Sequence, residues 1–196
     1  MKLASPAAQR NREPIAAELA KLLPKGARVL EIASGSGEHV VFFANVMPDC
    51  TFLPSDPSSE ARASITAHVA ESALANVEPV RELDVTEPDW AVESDAITCC
   101  NMIHIAPWAA SLGLMAGARR SLGLRGLLIL YGPYRFQGEF LAPSNQAFDE
   151  SLKSRNPAWG VRDIDEVDAI ASEQGFTRDQ LIAMPANNHL VVYRKR

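Results

Sequence analysis

The stretch EIASGSGEHV, residues 31–40, joins the apolar run ARVLEIA (27–33) to a helical pattern over 36–47. Gly35 and Gly37 space a tight strand-to-helix turn between the two, which is how a βαβ unit opens. The charge such a turn accepts decides what kind of chain this is.

Outward from the turn the alternation repeats. CTFLPSD (50–56), PVRELDV (79–85), SDAITCCNM (94–102) and RGLLILYGP (125–133) read as strands, with helical segments at 58–74 and 108–121. Strands alternating with helices imply a parallel sheet with crossover helices on both faces. The first, fourth and fifth strands are nearly continuous apolar runs, as in strands buried on both faces. After a helix near 163–174, FTRDQLIAMP and NHLVVYRK are separated only by ANN. So short a link makes a hairpin, not a crossover. The expectation is an α/β fold: a doubly wound, mostly parallel, seven-stranded Rossmann-like sheet ending in a C-terminal antiparallel hairpin. Residues 1–196 are expected to form a single domain, with 1–24 as an N-terminal cap helix. Within that cap PIAAELAKLL (14–23) is amphipathic, with Pro14 in its first turn and PKG closing it.

Of the 196 residues 47% are hydrophobic, enough for one sizeable core. No apolar run reaches the ~18 residues of a membrane span, and no secretory signal is expected. The three cysteines, Cys50, Cys99 and Cys100, lack CxxC spacing, which fits free thiols in a reducing cytoplasm. A net charge of −5 does not favour long nucleic-acid partners. His39, His68, His104 and His189 have no ligand spacing, so no metal is expected.

A dinucleotide fingerprint would read G-x-G-x-x-G. Aligned on Gly35 and Gly37, its third glycine is Val40. The helix also opens with Glu38, whose carboxylate would repel a phosphate at the helix N-terminus. The turn suits a ligand whose nearest polar group is an amine or zwitterion, with Glu31 in the strand below adding negative potential. An NAD-dependent oxidoreductase is thereby disfavoured. Asp56, 21 residues after Gly35 at the next strand end, can accept from ribose hydroxyls. Asp84 ends the third strand and can accept from the exocyclic amine of adenine, with the backbone of Val85 on the ring edge. Asn101 ends the fourth strand. Helix capping is the competing reading for Asp56 and Asp84.

A glycine turn followed by acid, acid and a polar residue at four strand ends resembles the class I S-adenosylmethionine-dependent methyltransferases. Their usual first motif is E-x-G-x-G-x-G; EIASGSG has Ala33 for the first glycine, which restricts the backbone there. SPAAQRNREPI, LEIASGSGEHVVFFA, YGPYRFQGEF, SNQAFDESLKSRNPAWGVRD and MPANNHLVVYRK together resemble the methyltransferase-like protein 26 family (domain of unknown function 938). The resemblance implies S-adenosyl-L-methionine as cofactor, held by Glu31, Ala33, Gly35, Gly37, Asp56, Asp84, Val85 and Asn101. Arg10, Asn11 and Arg12, in AQRNREP, are expected to fold over it, with an arginine or Asn11 meeting its carboxylate; a solvated surface segment is the competing reading.

Methyl transfer needs a base only where the nucleophile must lose a proton. His104, in NMIHIAPW, is the first candidate for a base or an acceptor-orienting group, Tyr134 the second. A hydrogen-bonded structural histidine is the competing reading. As a base, His104 would make the rate rise with pH through about 6.5. NMIH lacks the N-P-P-aromatic signature of enzymes that methylate amino groups of bases. Residues 131–163 carry Tyr131, Tyr134, Phe136, Phe140 and Trp159 interleaved with Asn145, Arg155, Asn156, Arg162 and Asp163. They are expected to form a lid over an acceptor pocket, local loop packing being the alternative. The expected function is methyl transfer to a small molecule at oxygen or sulfur. A non-catalytic S-adenosylmethionine-binding or interaction protein is the alternative.

Overall fold

The structure, a computed structural model, describes residues 2–196. They fall into two compact units. The first holds the described residues up to Asp84 together with Ser94–Cys99; the second holds Val85–Glu93 and Cys100–Arg196.

The first unit opens with helix α1 (Pro6–Leu22). Ser5 caps it, its hydroxyl accepting from the Ala8 N–H at 3.2 Å, and Pro6 sits at the first turn. A Ser-Pro pair is a strong start signal, because proline lacks one of the N–H groups that a helix start leaves unpaired. The helix therefore begins well before Pro14, which lies inside it rather than in its first turn. Ala8, Ile15, Ala16 and Leu19 form its buried stripe.

Strand β1 (Arg28–Ile32) pairs in parallel with β2 (Thr51–Pro54) and β3 (Ser94–Cys100). Being central, β1 buries both faces, and Val29 and Leu30 are 0% exposed. Helix α2 (Glu38–Val46) follows β1 and α3 (Ser59–Ser72) follows β2. The expected strand at 79–85 is absent. Asn76 to Arg81 run beside β2 and make only isolated bridges, Phe52 with Val77 and Ser55 with Arg81. The offset grows by one residue between the bridges. Pro54 lacks the N–H that a regular ladder needs between the Phe52 and Asp56 donors, so the register slips and the strand dissolves.

In the second unit, helix α4 (Trp108–Ser121) leads into β4 (Leu122–Gly132). A short hairpin follows, β5 (Arg135–Phe136) with β6 (Glu139–Phe140), turned by Gln137 and Gly138 at φ 53° and 84°. Then come α5 (Pro143–Arg155) and α6 (Ile164–Glu173). The terminal hairpin is as expected: β7 (Phe176–Met184) pairs antiparallel with β8 (Asn188–Lys195), and β8 also pairs antiparallel with β4. Leu190 to Tyr193 in β8 are all 0% exposed. The doubly wound α/β class stands. Among the described residues the main strands number six, three in each unit, where seven were expected, and the missing one is 79–85.

Candidate functional site

The turn after β1 enters left-handed backbone three times, at Ala33 (φ 55°), Gly35 (φ 58°) and Gly37 (φ 92°). Ala33 takes the conformation that the first glycine of the motif would take, at a cost of about 1–2 kcal/mol. The two glycines do different work. At Gly35 a Cβ would meet only the Ala33 carbonyl, at 4.0 Å, so the backbone there is open to a ligand. At Gly37 a Cβ would lie 2.9 Å from Cα of Ile65, so this glycine lets α2 pack against α3. Close packing, assigned in the dinucleotide fingerprint to the third glycine, falls here to Gly37.

Asp56 braces the turn. Its Oδ2 accepts the Gly35 N–H at 3.0 Å and its Oδ1 the Ser58 N–H at 2.9 Å. Ser58, not Asp56, caps α3. Each carboxylate oxygen keeps a second lone pair. Glu31 lies below, 2% exposed. Its carbonyl accepts the Ser55 hydroxyl at 2.8 Å and the Ser34 hydroxyl at 3.3 Å. Its Oε2 is buried with no hydrogen-bond partner among the described residues. Burial, partly offset by the Ser34 hydroxyl and reinforced by the Asp56 charge, pushes the carboxyl up to about 7. Asp84 is half-buried in the same unit.

Glu38 is held by α1 and by Ser36 of the turn. Its Oε2 accepts the Ser5 N–H at 2.5 Å and the Ser36 hydroxyl at 3.0 Å, and its Oε1 accepts Gln9 Nε2 at 2.8 Å. These bonds hold its carboxyl below the usual range despite burial. Asn11 is likewise engaged, its Oδ1 2.7 Å from His39 Nε2. His39 stacks on Phe43, and burial lowers its pKa to about 4. Arg10 is exposed. The serines at 34 and 55 and the Glu38 and His39 docking were not singled out from sequence. Ser34, Glu38 and His39 lie inside the opening stretch and so carried a positional signal; Ser55 carried none.

In the second unit the Val85 carbonyl accepts Trp90 Nε1 at 3.1 Å. Asn101 sits at φ 62°, its N–H on the Tyr131 carbonyl at 2.8 Å, and starts the short 3-10 turn Met102–His104. His104 is 0% exposed. Its Nδ1 accepts the Arg162 N–H at 3.3 Å, and its carbonyl accepts the Gly160 N–H at 2.9 Å. Its Nε2 has no hydrogen-bond partner among the described residues and faces Gly132, where any Cβ would overlap the ring. Tyr134, also 0% exposed, meets the imidazole edge-on at 5.2 Å. Burial first, then the Arg162 charge, lowers the His104 pKa to about 3. A titration near the ordinary histidine value is therefore not expected, and neither side chain presents a surface atom. Arg162 itself donates to the carbonyls of Ile103 at 2.8 Å and Ala106 at 2.7 Å. Among the described residues no His, Cys, Asp and Glu group could hold a metal, and no helix is long and apolar enough to cross a membrane.

Known proteins of similar fold include methyltransferases. The structure of the mitomycin 7-O-methyltransferase MmcR matches 97% of this chain at TM-score 0.83 and 14% identity, over 54% of its own length. That of the S-adenosylmethionine-dependent methyltransferase SibL matches 96% at TM-score 0.80 and 17% identity, over 55% of its length. The chain thus spans about half of either protein. In sequence, 78 residues are 33% identical to a tRNA (guanine-N(7)-)-methyltransferase of Erythrobacter litoralis (strain HTCC2594), 40% of this chain and 33% of that protein. The fold is that of the class I S-adenosylmethionine-dependent methyltransferases. A family profile runs over residues 2–195, and by that match the chain belongs to the family described as Protein of unknown function (DUF938).

Proposed function

We propose that the chain binds S-adenosylmethionine at the turn after β1 and transfers its methyl group to a small-molecule acceptor at oxygen or sulfur. The observation that carries the reading is Glu31. A buried carboxylate oxygen with no partner lies in the strand that feeds an open glycine backbone. Such a place asks for a cationic donor and repels a phosphate. The amino group of S-adenosylmethionine has that chemistry, and the free lone pairs of Asp56 suit its ribose hydroxyls. Glu31, Ala33, Gly35, Gly37, Asp56 and Asp84 would hold the cofactor, which when bound supplies a methyl group activated on a sulfonium. Arg10 and Asn11 are weaker members of the set, Asn11 because His39 already engages it.

His104 acts in this reading as a positioning residue. It fixes the backbone at Gly160 and Arg162 and does not take a proton from the acceptor. Catalysis then rests on holding donor and nucleophile together, worth about 7–11 kcal/mol in well-oriented systems. The burial of His104 and Tyr134 also favours a second reading, cofactor binding without turnover. Calorimetry and a methyl-release assay separate the two. S-adenosylmethionine and S-adenosylhomocysteine should bind, NAD should not compete, and a panel of thiols, phenols and carboxylates should contain a methylated acceptor. Binding without turnover on that panel, with tRNA equally silent, supports the second reading. No binding at all refutes both.

A further inference from the structure

The outward face of α2 presents Glu38, Val41 and Phe42, at helical spacings of three and four. With Arg12 of α1 and with His68 and Leu74 at the α3 end, they line a cleft of ≈ 370 Å³. That volume lies within the range of about 300–1,000 Å³ typical of small-molecule sites.

Its polar groups are unequal. Glu38 has both oxygens occupied by Ser5, Ser36 and Gln9. His68 Nε2 is 3.0 Å from the Leu3 carbonyl. Arg12 differs. Its guanidinium carbon lies 4.8 Å from the centroid of the Phe42 ring, and its Nε is buried with no acceptor among the described residues. A guanidinium stacked on an aromatic face keeps its planar fork of donors pre-oriented, and that fork matches a carboxylate. Leaving a buried donor unmet costs stability, so an acceptor from outside would be gained at little ordering cost. Val41, Phe42 and Leu74 supply the apolar part of the lining, with Asn45 and Ser72 beside them.

We propose that this cleft is a second small-molecule site, apart from the glycine turn, for a monocarboxylate with an aromatic or branched apolar body. The carboxylate sits on Arg12 and the body on Phe42, Val41 and Leu74. Glu38 selects the charge. A phosphate dianion would meet a fixed carboxylate in the same cleft, whereas a monoanion pairs with Arg12 at less repulsion.

The probe is 2-naphthoate, titrated into the full chain without cofactor and followed by NMR. It should shift the amide signals of Val41, Phe42 and Leu74, and Arg12→Gln should weaken it about tenfold or more, with Arg12→Lys in between. The neutral 2-naphthalenemethanol should bind about tenfold more weakly, and 2-naphthyl phosphate more weakly than the carboxylate. Saturating S-adenosylmethionine should leave the 2-naphthoate affinity unchanged, which keeps this test independent of the cofactor reading. Unchanged affinity in a folded Arg12→Gln variant, shifts confined to other residues, tighter binding of the phosphate, or no saturable binding at millimolar probe would each overturn the proposal.

Discussion

Glu31→Gln separates the charge of the strand-end carboxyl from its shape. In the folded chain burial raises this carboxyl from 4.5 to about 7. Between those two values the folded state holds a proton that the unfolded state has lost. Stability must then fall as pH rises through this window. The shift, multiplied by about 1.36 kcal/mol per pH unit, gives about 3 kcal/mol. Below pH 4.5 the group is neutral in both states and the wild type and the variant should be close. Above about pH 7 the wild type carries a buried anion with an orphaned oxygen and the amide does not, so the variant should be more stable by up to about 3 kcal/mol. Urea unfolding at a series of pH values, plotted as variant minus wild type, cancels every other titrating group. The same protonation links to the ligand. A cationic amine on Glu31 favours the ionised form, so S-adenosylmethionine affinity should rise with pH up to about 7 in the wild type and stay flat in the variant. A difference plot flat to within ~0.5 kcal/mol would refute the buried-carboxyl reasoning. A sloping plot with pH-independent affinity would instead remove Glu31 from the amine site.

Three further outcomes follow from the geometry. His104 has its pKa lowered from 6.5 to about 3, so the stability it contributes is complete above 6.5 and is lost as pH falls toward 3. Once an acceptor is known, the rate should show no inflection near 6.5, and an imidazole titration there, seen by NMR, would contradict its burial. Gly37→Ala should cost about 2–4 kcal/mol in thermal or urea unfolding, since it combines left-handed backbone with overlap on Ile65. Gly35→Ala should cost only about 1–2 kcal/mol, and Ala33→Gly should be neutral or stabilising by up to about 1 kcal/mol. Equal costs at the two glycines would mean that α3 yields. Glu38→Ala removes the acceptor for Ser5, Gln9 and Ser36 and should cost about 2–3 kcal/mol, with earlier hydrogen exchange in the first turns of α1.

The readable elements were those whose local pattern and tertiary setting agree. β1, β3 and β4 are apolar runs and occupy buried places. The terminal hairpin was legible because three residues cannot span a crossover. The strand expected at 79–85 failed on Pro54, which is set by its partner and not by its own sequence. The start of α1 was misplaced because Pro14 looked like a first-turn proline, although Ser5-Pro6 offers the stronger cap. In the site, glycine spacing located the turn, but only packing against Ile65 tells the role of Gly37 from that of Gly35. The burial of His104 left no trace in NMIHIAPW, because the wall against it comes from Gly132 and the 160–162 backbone, far along the chain.

Residues 131–163 show the same limit most clearly. Helix α5 has little apolar periodicity, and its buried stripe is Asn145, Asp149 and Leu152. Polar side chains on a buried stripe read from sequence as ligand-facing groups, and Asn145, Arg162 and Asp163 were singled out in that sense. In the fold each is engaged internally. Asn145 donates to the Asn187 carbonyl at 3.0 Å and Asp149 accepts the Val161 N–H at 2.8 Å. Asp163 accepts the N–H groups of Gly138 at 2.6 Å and Asp165 at 3.0 Å. Arg162 closes the Met102–His104 turn through the Ile103 and Ala106 carbonyls. A lid that swings as one piece would break the bonds to the Asn187, Ile103 and Ala106 carbonyls, which water would have to replace. Motion over an acceptor is therefore better sought in the β5–β6 hairpin, whose Gly138 is tied down by the Asp163 carboxylate. Asp163→Asn keeps the α6 cap and weakens that tie, so it should loosen the hairpin without unfolding α6. Hydrogen exchange resolved to residues 135–140 against 164–173 would show it, and equal protection in both variants would mean the hairpin is held by packing instead.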